Sequence, residues 1–178
     1  MIELMARFDE LLDNELSNID NYLTSGYFES SIFDLVKVMS PSDDRPKELK
    51  GRKGVYFFFM TENQFMSRSL INSWQSESGA TFFDWQEREL KEGDCLYLGS
   101  SASLKTGSLY VRIGEHIGGN KTHTALKLSL ENRSILKDKL VIYIFALRRE
   151  LKPYCNVILP PLEHKLHEKY KPKAGSSR

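Results

Sequence analysis

The chain has 178 residues, enough for one domain of ordinary size with a substantial buried core. Hydrophobic residues make up 40% and charged residues 28%, a balance typical of globular rather than intrinsically disordered chains. The N-terminus lacks the basic and apolar regions of a signal peptide, and the longest apolar run, residues 55–60, is too short to cross a bilayer. With only two cysteines, we expect free thiols, a cytoplasmic location and no membrane contact.

Charge is distributed unevenly, although the net charge is only +1. Residues 1–45 contain ten Asp or Glu and three Lys or Arg, a balance of −7. Residues 46–178 contain 22 Lys or Arg and 14 Asp or Glu, a balance of +8. Taken alone, such asymmetry is more often ordinary variation between solvated helix faces. A basic body also suits phosphate binding, because Lys and Arg that neutralise phosphates release counterions.

The N-terminal part is predicted to be helical. Apolar residues recur every three or four positions over residues 3–24, which indicates an amphipathic helix. A second helical pattern covers residues 29–39, and two prolines in residues 41–46 indicate a loop. We therefore predict two parts, a helical N-terminal extension over residues 1–45 and a body over residues 46–178.

The body is predicted to mix strands and helices. Runs of β-branched and aromatic residues indicate strands at 54–60, 95–99 and 141–146. Helices are predicted at residues 65–74, 84–90, 108–117, 122–131 and 161–170. The last helix is expected to begin at Pro160-Pro161, because proline is tolerated in a first helical turn, while Pro153 breaks the chain. Residues 171–178 are expected to be a basic tail.

Five polar side chains follow one another in an informative order. The tripeptide Gly-Val-Tyr ends at Tyr56 and the tripeptide Tyr-Leu-Gly begins at Tyr97, each inside an apolar, aromatic-rich strand. Arg112 and His116 are four residues apart, so on a helix they share one face. Glu163 follows near the start of the last predicted helix. This order resembles the GIY-YIG nuclease family, and its style is closest to the type II restriction endonuclease branch.

The resemblance implies an α+β fold, a small three-stranded antiparallel sheet flanked by helices, here with a helical N-terminal extension. It also implies a metal-dependent DNA endonuclease that hydrolyses phosphodiester bonds by a one-metal in-line mechanism. Tyr56 with His116 would prepare the attacking water, and Arg112 with Tyr97 would hold the phosphate. Glu163 would be the protein ligand of Mg²⁺ or Mn²⁺, ions that need few carboxylates.

Each of these residue types suits that chemistry and also has an ordinary structural role. Arginine offers a rigid fork of donors to phosphate oxygens, and histidine titrates near neutrality and could take a proton from water or from a tyrosine. In isolation, the Arg112 and His116 pair would be exposed on an amphipathic helix, and tyrosines in strands would be core aromatics. Tyrosine is a weak base because its pKa is about 10, so it needs a nearby cation. A glutamate in a first helical turn also complements the helix dipole.

The chain departs from the family pattern at two places. The family usually has a lysine just after the second tripeptide, where this chain has Ser100 and Ser101, and Lys105 is the candidate substitute. The family's asparagine after a proline near the C-terminus is missing after Pro172. The segment between the two tripeptides is also long, as in members that resemble type II restriction enzymes.

Further basic residues are candidate nucleic-acid contacts. These are Lys105, Lys121, His123, Lys171 and Lys173. His123 is either a polar loop residue, the more ordinary role, or a second active-site histidine. His164 and His167 lie beside Glu163, but no Cys or His cluster completes a four-ligand zinc site, so they are expected to face solvent or DNA.

Three hypotheses of function remain open at this level. The first is a DNA endonuclease of restriction or genome-defence type, which would need a homodimer for a palindromic target, with the apolar face of helix 3–24 as one candidate interface. The second is a catalytically inactive nucleic-acid-binding or regulatory module on the same fold. The third is a protein-interaction domain in which the two tripeptides coincide by chance.

Overall fold

A computed structural model of the chain describes residues 2–76, 79–84, 86–104, 107–118 and 125–175. The strands are β1 (Phe33–Met39), β2 (Gly54–Met60), β3 (Gln64–Met66), β4 (Thr81–Phe82), β5 (Arg88–Leu90), β6 (Cys95–Ser100), β7 (Leu140–Leu147) and β8 (Ala174–Gly175). The α-helices are α1 (Ile2–Ser25), α2 (Arg68–Ser76), α3 (Leu109–Gly118), α4 (Glu131–Ser134) and α5 (Cys155–Tyr170). Short 3₁₀ helices lie at Lys47–Leu49, Lys137–Lys139 and Arg149–Tyr154. Among the described residues, none of the helices combines the length and apolar character that a membrane span requires.

The main sheet is antiparallel throughout and has the strand order β1-β7-β2-β6. Two small ribbons accompany it, one pairing β3 with β5 and the other pairing β4 with β8. The predicted α+β class with an antiparallel sheet and flanking helices is therefore confirmed. The predicted number of strands is wrong, because the sheet has four strands and not three.

The additional strand is β1, where the sequence pattern favoured a helix over residues 29–39. Its residues pair with β7 from Phe33 opposite Leu147 to Met39 opposite Ile142. Short apolar runs fit helix and strand periods about equally, and here β7 supplies hydrogen-bonding partners that no local pattern reveals. The predicted N-terminal extension thus contributes an edge strand to the main sheet.

Helices cover both faces of the sheet. Side chains of β2 alternate between the faces, and nearly all of them are buried, which explains the unbroken apolar run of this strand. On one face, Val55 and Phe57 belong to the same buried cluster as residues of α1 and α5. On the other face, Tyr56 and Phe58 belong to a cluster with residues of α2 and α3. Tyr56 therefore lies on the α2 and α3 face, while Glu163 comes from α5.

One β-bulge interrupts the pairing of β2 with β6. Phe58 lies opposite Tyr97 and Phe59 lies opposite Cys95, so Leu96 has no partner across the ladder. Cys95 and Tyr97 consequently belong to the two opposite buried clusters, although they are only two residues apart. Regular pairing from Gly99 to Tyr97 places the Tyr97 ring on the same face as Tyr56, and the bulge turns Cys95 to the other face.

Helix α5 begins at Cys155 and not at residue 161 as predicted, and Pro153 lies within the preceding 3₁₀ helix. Pro160 and Pro161 are inside α5, where each removes an N–H donor. The carbonyls that would have accepted those bonds belong to residues 156 and 157, which are exposed, so water can bind them. The helix therefore continues through both prolines.

Several other helix predictions are wrong in extent. The segment predicted helical at 65–74 contains part of β3 and α2, while 84–90 contains β5 in place of a helix. Within 122–131, residues 122–124 lie outside the described residues, 125–130 are not helical and α4 begins at Glu131. The start of the predicted tail, residues 171–175, is held in place because β8 pairs with β4. The short strands among them each depend on a pairing partner that is distant in sequence.

Candidate active site

The rings of Tyr56 and Tyr97 lie together on one face of the sheet. Their centroids are 6.3 Å apart and their planes differ by 13°. Gly99 lies directly opposite Tyr56 in the ladder, and a Cβ at Gly99 would lie 2.8 Å from the Tyr56 Oη and 3.0 Å from a Tyr97 ring carbon. The glycine of the second tripeptide thus leaves room for both tyrosine rings.

The glycine of the first tripeptide has a different role. A Cβ at Gly54 would lie 2.0 Å from the carbonyl oxygen of Phe145 in β7. Gly54 pairs with Ala146, so the close approach belongs to the β2 and β7 ladder. Gly54 therefore lets the two central strands approach at the start of β2, two residues before Tyr56.

Helix α3 brings His116 against the tyrosines. The imidazole is fully buried, its Nε2 lies 3.0 Å from the Tyr56 Oη, and its ring centroid lies 4.4 Å from that of Tyr97. The Leu126 backbone N–H donates to His116 Nδ1 over 2.9 Å. Because Nδ1 accepts this bond, the neutral ring carries its proton on Nε2 and donates it to the Tyr56 oxygen. Burial, together with the charge of Arg112, holds the pKa of His116 well below its ordinary value, so the ring is neutral.

Arg112 lies one helical turn before His116 and interacts with the same phenol. Its Nη1 donates to Glu115 Oε2 over 2.5 Å, and it also forms a side-chain hydrogen bond with Tyr56. Burial alone would lower the pKa of Arg112, but the oxygens of Tyr56, Glu115 and Tyr97 raise it, so the guanidinium stays charged. Arg112 and Glu115 also line a cavity of about 460 Å³ beside the loop that follows β6.

The Tyr56 hydroxyl therefore has two donors close to it, His116 and Arg112. Burial raises its pKa well above 10, and the oxygens of Tyr97 and Glu163 act in the same direction. The charge of Arg112 and its hydrogen bond act in the opposite direction and favour the phenolate. The phenol is therefore protonated at neutral pH, and Arg112 is the neighbour that would stabilise its deprotonated form.

Glu163 lies in the middle of α5 and not at a helix start as predicted, so its carboxylate does not serve as an N-terminal helix charge. Its Oε2 accepts a hydrogen bond from the Ser100 hydroxyl, and its Oε1 lies 3.7 Å from His167 Nε2. Glu163 and Tyr97 line one cavity of about 190 Å³. The carboxylate thus lies beside the tyrosine pair.

A carboxylate beside an open cavity is a donor set that Mg²⁺ accepts, because this ion keeps several of its waters. Within the described ranges, no group of three or more His, Cys, Asp or Glu side chains is arranged to hold a metal. His164 forms an exposed pair with Glu168 at 3.5 Å, and His167 is paired with Glu163. The arrangement fits a single-carboxylate cation site better than a zinc site.

The predicted nucleic-acid contacts are only partly visible. Lys105, Lys121 and His123 lie outside the described residues. Lys171 is exposed at the C-terminal end of α5 with a left-handed backbone (φ +45°). The Lys173 Nζ lies 3.7 Å from Asp94 Oδ1. Its backbone N–H donates to the Cys95 carbonyl, and its carbonyl accepts from the Phe83 N–H.

Sequence reasoning missed three groups that contact this cluster. Ser100 counted only as a departure from the family pattern, yet its hydroxyl binds Glu163. Glu115 binds Arg112 and could have been found from its i, i+3 spacing on α3. The Leu126 N–H binds His116, and a backbone donor of this kind leaves no sequence signal.

The structure thus brings four of the predicted residues together: Tyr56, Tyr97, Arg112 and His116. Glu163 lines the same cavity as Tyr97. No family model, curated protein or solved structure matches the chain. Function is therefore inferred from the geometry of these five residues and from the resemblance of their order.

Proposed function

We propose that the protein is a divalent-cation-dependent DNA endonuclease with a GIY-YIG-type site, of the restriction or genome-defence kind. The observation that carries this proposal is the contact of the Tyr56 hydroxyl with two donors, neutral His116 and charged Arg112, within a shell of aromatic rings. A buried phenol that only filled the core would need one partner. Two donors, one of them cationic, favour a negative charge on the oxygen.

The proposed roles follow from the contacts. Tyr56 first loses its proton to solvent, so that only the phenolate fraction reacts. A water oxygen then attacks phosphorus, the proton of that water passes to the Tyr56 phenolate, and the bond to the leaving sugar oxygen breaks as that oxygen takes a proton from solvent. His116 donates to the Tyr56 oxygen and so stabilises the phenolate, while Arg112 binds the phosphate with its remaining donors. Tyr97 orients the phosphate from the neighbouring strand. A divalent cation held by Glu163 would supply positive charge at the leaving oxygen.

These contacts assign His116 a donor role in place of the base considered at the sequence level. Its Nδ1 lone pair is bound by the Leu126 N–H, and its Nε2 carries the proton given to Tyr56. A base needs a lone pair directed at the proton it removes. We therefore place the proton acceptor at Tyr56 alone.

The second candidate is a nucleic-acid-binding module that does not cleave. Two observations favour it: Tyr56 is fully buried, and both carboxylate oxygens of Glu163 already face protein partners, Ser100 and His167. In that case the basic residues would bind phosphates without a reactive water at the tyrosines.

Plasmid cleavage tests the first candidate. The wild type is incubated with supercoiled DNA and Mg²⁺ or Mn²⁺, beside Glu163→Gln, which keeps the size of the side chain, and Arg112→Lys, which keeps the charge and loses the fork of donors. Glu168→Gln is the matched control, because Glu168 lies on the same helix and forms the same kind of i, i+4 pair with a histidine. We expect cutting by the wild type and the control, and at least about a hundredfold loss in both site variants.

The alternatives give different results in the same assay. Binding in a gel shift without cutting by any divalent ion would favour the module that does not cleave. Neither binding nor cutting of duplex or single-stranded DNA or RNA would favour a protein-interaction domain.

A further inference from the structure

Arg133 is a fully buried arginine on α4 that the catalytic proposal does not use. Its Nη1 donates to the Leu126 carbonyl over 2.8 Å and its Nη2 donates to the Trp74 carbonyl over 2.9 Å. The guanidinium also lies over the Trp74 indole, 4.6 Å from the ring centroid. Burying a cation is costly, and an apolar side chain of similar volume often gives equal or greater stability. The residue therefore calls for a role other than filling space.

Two of the three carbonyls that Arg133 contacts, those of Leu126 and Ala80, connect it to His116. The Leu126 carbonyl is held directly, and the N–H of Leu126 donates to His116 Nδ1. Arg133 Nη1 also lies 3.4 Å from the Ala80 carbonyl, and the N–H of Ala80 donates to the Ala125 carbonyl over 2.8 Å. The Ala125 carbonyl belongs to the same peptide group as the Leu126 N–H. Arg133 thus reaches this peptide group by two routes, through the carbonyl of Leu126 itself and through Ala80.

The surrounding backbone is shaped for this arrangement. Lys127, next to Leu126, has a left-handed backbone (φ +54°), which is unfavourable for a side chain other than glycine. A Cβ at Gly79 would lie 3.0 Å from Arg133 Nη1 and 2.6 Å from the Ala125 carbonyl oxygen. The Leu128 N–H donates to the His116 carbonyl over 2.8 Å. The segment 125–128 is therefore fixed against α3 and Arg133 together.

We propose that Arg133 is a positioning residue: through the backbone at Leu126 it holds His116 in the tautomer that donates its proton to the Tyr56 oxygen. In the other tautomer, Nδ1 carries the proton and would oppose the Leu126 N–H, while Nε2 would accept a bond from the Tyr56 hydroxyl. The catalytic meaning of this arrangement depends on the proposed nuclease function. The tautomer itself does not.

The test is the ¹⁵N NMR spectrum of the His116 ring in the full chain at neutral pH, assigned with a His116→Gln variant. In the wild type we expect the tautomer protonated on Nε2 to exceed the other by about tenfold or more, the effect of one buried hydrogen bond. In Arg133→Met, which keeps the apolar stem and removes the donors, we expect the two tautomers to differ by less than about threefold. Ile71→Ala is the matched control, because Ile71 is fully buried in the same core cluster. It should lower stability and leave the tautomer unchanged.

Every outcome decides the question. A wild-type ring protonated on Nδ1, or a folded Arg133→Met protein with the wild-type tautomer ratio, would overturn the proposal. If Arg133→Met does not fold, Arg133→Lys keeps the charge and loses the fork of donors, and it should give an intermediate ratio. An unchanged ratio in that folded variant also overturns the proposal. If the wild type proves not to cut DNA, the nuclease function fails while the tautomer ratio still judges the role of Arg133.

Discussion

His116 Nε2 lies 3.0 Å from the Tyr56 hydroxyl oxygen, and the other nitrogen of the same ring accepts a backbone N–H. This relationship makes the histidine a donor and leaves the tyrosine as the group that changes protonation during a reaction. It also makes the two residues separable by experiment, because burial moves their pKa values in opposite directions.

The first prediction concerns the pH dependence of cleavage. If Tyr56 is the base, kcat should rise about tenfold per pH unit from pH 6.5 upwards, since the phenolate fraction grows throughout the range below the raised pKa of Tyr56. If His116 were the base, kcat would be constant over this range, because its pKa is lowered and the ring is already neutral. Single-turnover cleavage rates from pH 6.5 to 9 distinguish the two. Arg112, Tyr97 and Glu163 also carry ionisable groups near the phenol. Tyr56→Phe is therefore the control, and its residual cleavage rate should not rise with pH.

The second prediction concerns stability in acid. The pKa of His116 is lowered in the folded chain, so the unfolded chain takes up a proton first as the pH falls below about 6.5. The stability that the neutral ring provides is fully present above this pH and is lost as the pH falls towards the folded pKa, by up to about 1.4 kcal/mol per pH unit. Urea unfolding at pH 7.5 and pH 5.5 measures this loss. His116→Gln should show a smaller difference between the two pH values, and an equal difference would contradict the prediction.

The third prediction concerns Gly99. In Gly99→Ala the new Cβ would lie 2.8 Å from the Tyr56 hydroxyl oxygen, so the ring must move, and we expect a loss of about 1–3 kcal/mol in the free energy of unfolding. Adding Tyr56→Phe removes the oxygen that clashes and should recover part of that loss. Gly118→Ala is the control, because a Cβ there has no neighbour within 4 Å. Equal stabilities for the two single variants would show that the space at Gly99 is not needed.

The fourth prediction concerns the N-terminal 45 residues. They contribute the buried side chains of Leu12, Ile19, Ile32 and Phe33 to the core on the α5 face. Burying one such side chain contributes about 1.5–3 kcal/mol, against a typical total stability of 5–15 kcal/mol. The chain 46–178 alone should therefore not unfold cooperatively in circular dichroism, and adding residues 1–45 as a separate peptide should restore the transition. Cooperative unfolding of the shorter chain would instead make residue 45 a true domain boundary.

The sequence predicted the parts of the fold whose signal is local. Strands β2, β6 and β7 and helices α1 and α3 lie within a few residues of their predicted bounds, because long or strongly periodic segments carry their own pattern. The helix predicted over residues 29–39 is wrong because pairing with β7 decides the conformation of β1. The predicted start of α5 is too late because the helix continues through both prolines, whose missing bonds leave exposed carbonyls.

The site was predictable in the same uneven way. The proximity of the site residues could be predicted from their order in the sequence, because a motif is made of side chains. These residues are Tyr56, Tyr97, Arg112, His116 and Glu163. The partner of His116 is a backbone amide and its support is an arginine on a four-residue helix. Neither group forms a recognisable sequence motif, so only the three-dimensional structure reveals its role.

The bulge at Leu96 has a consequence for how this strand tolerates change. The side chain at position 96 is one of many apolar residues in its cluster, so another apolar residue there should fold equally well. Deleting the position would make Cys95 and Tyr97 neighbours, and regular alternation would then keep them on the opposite faces that they already occupy. A single-codon deletion at this point should therefore remove one buried leucine without reversing the faces of the rest of the strand.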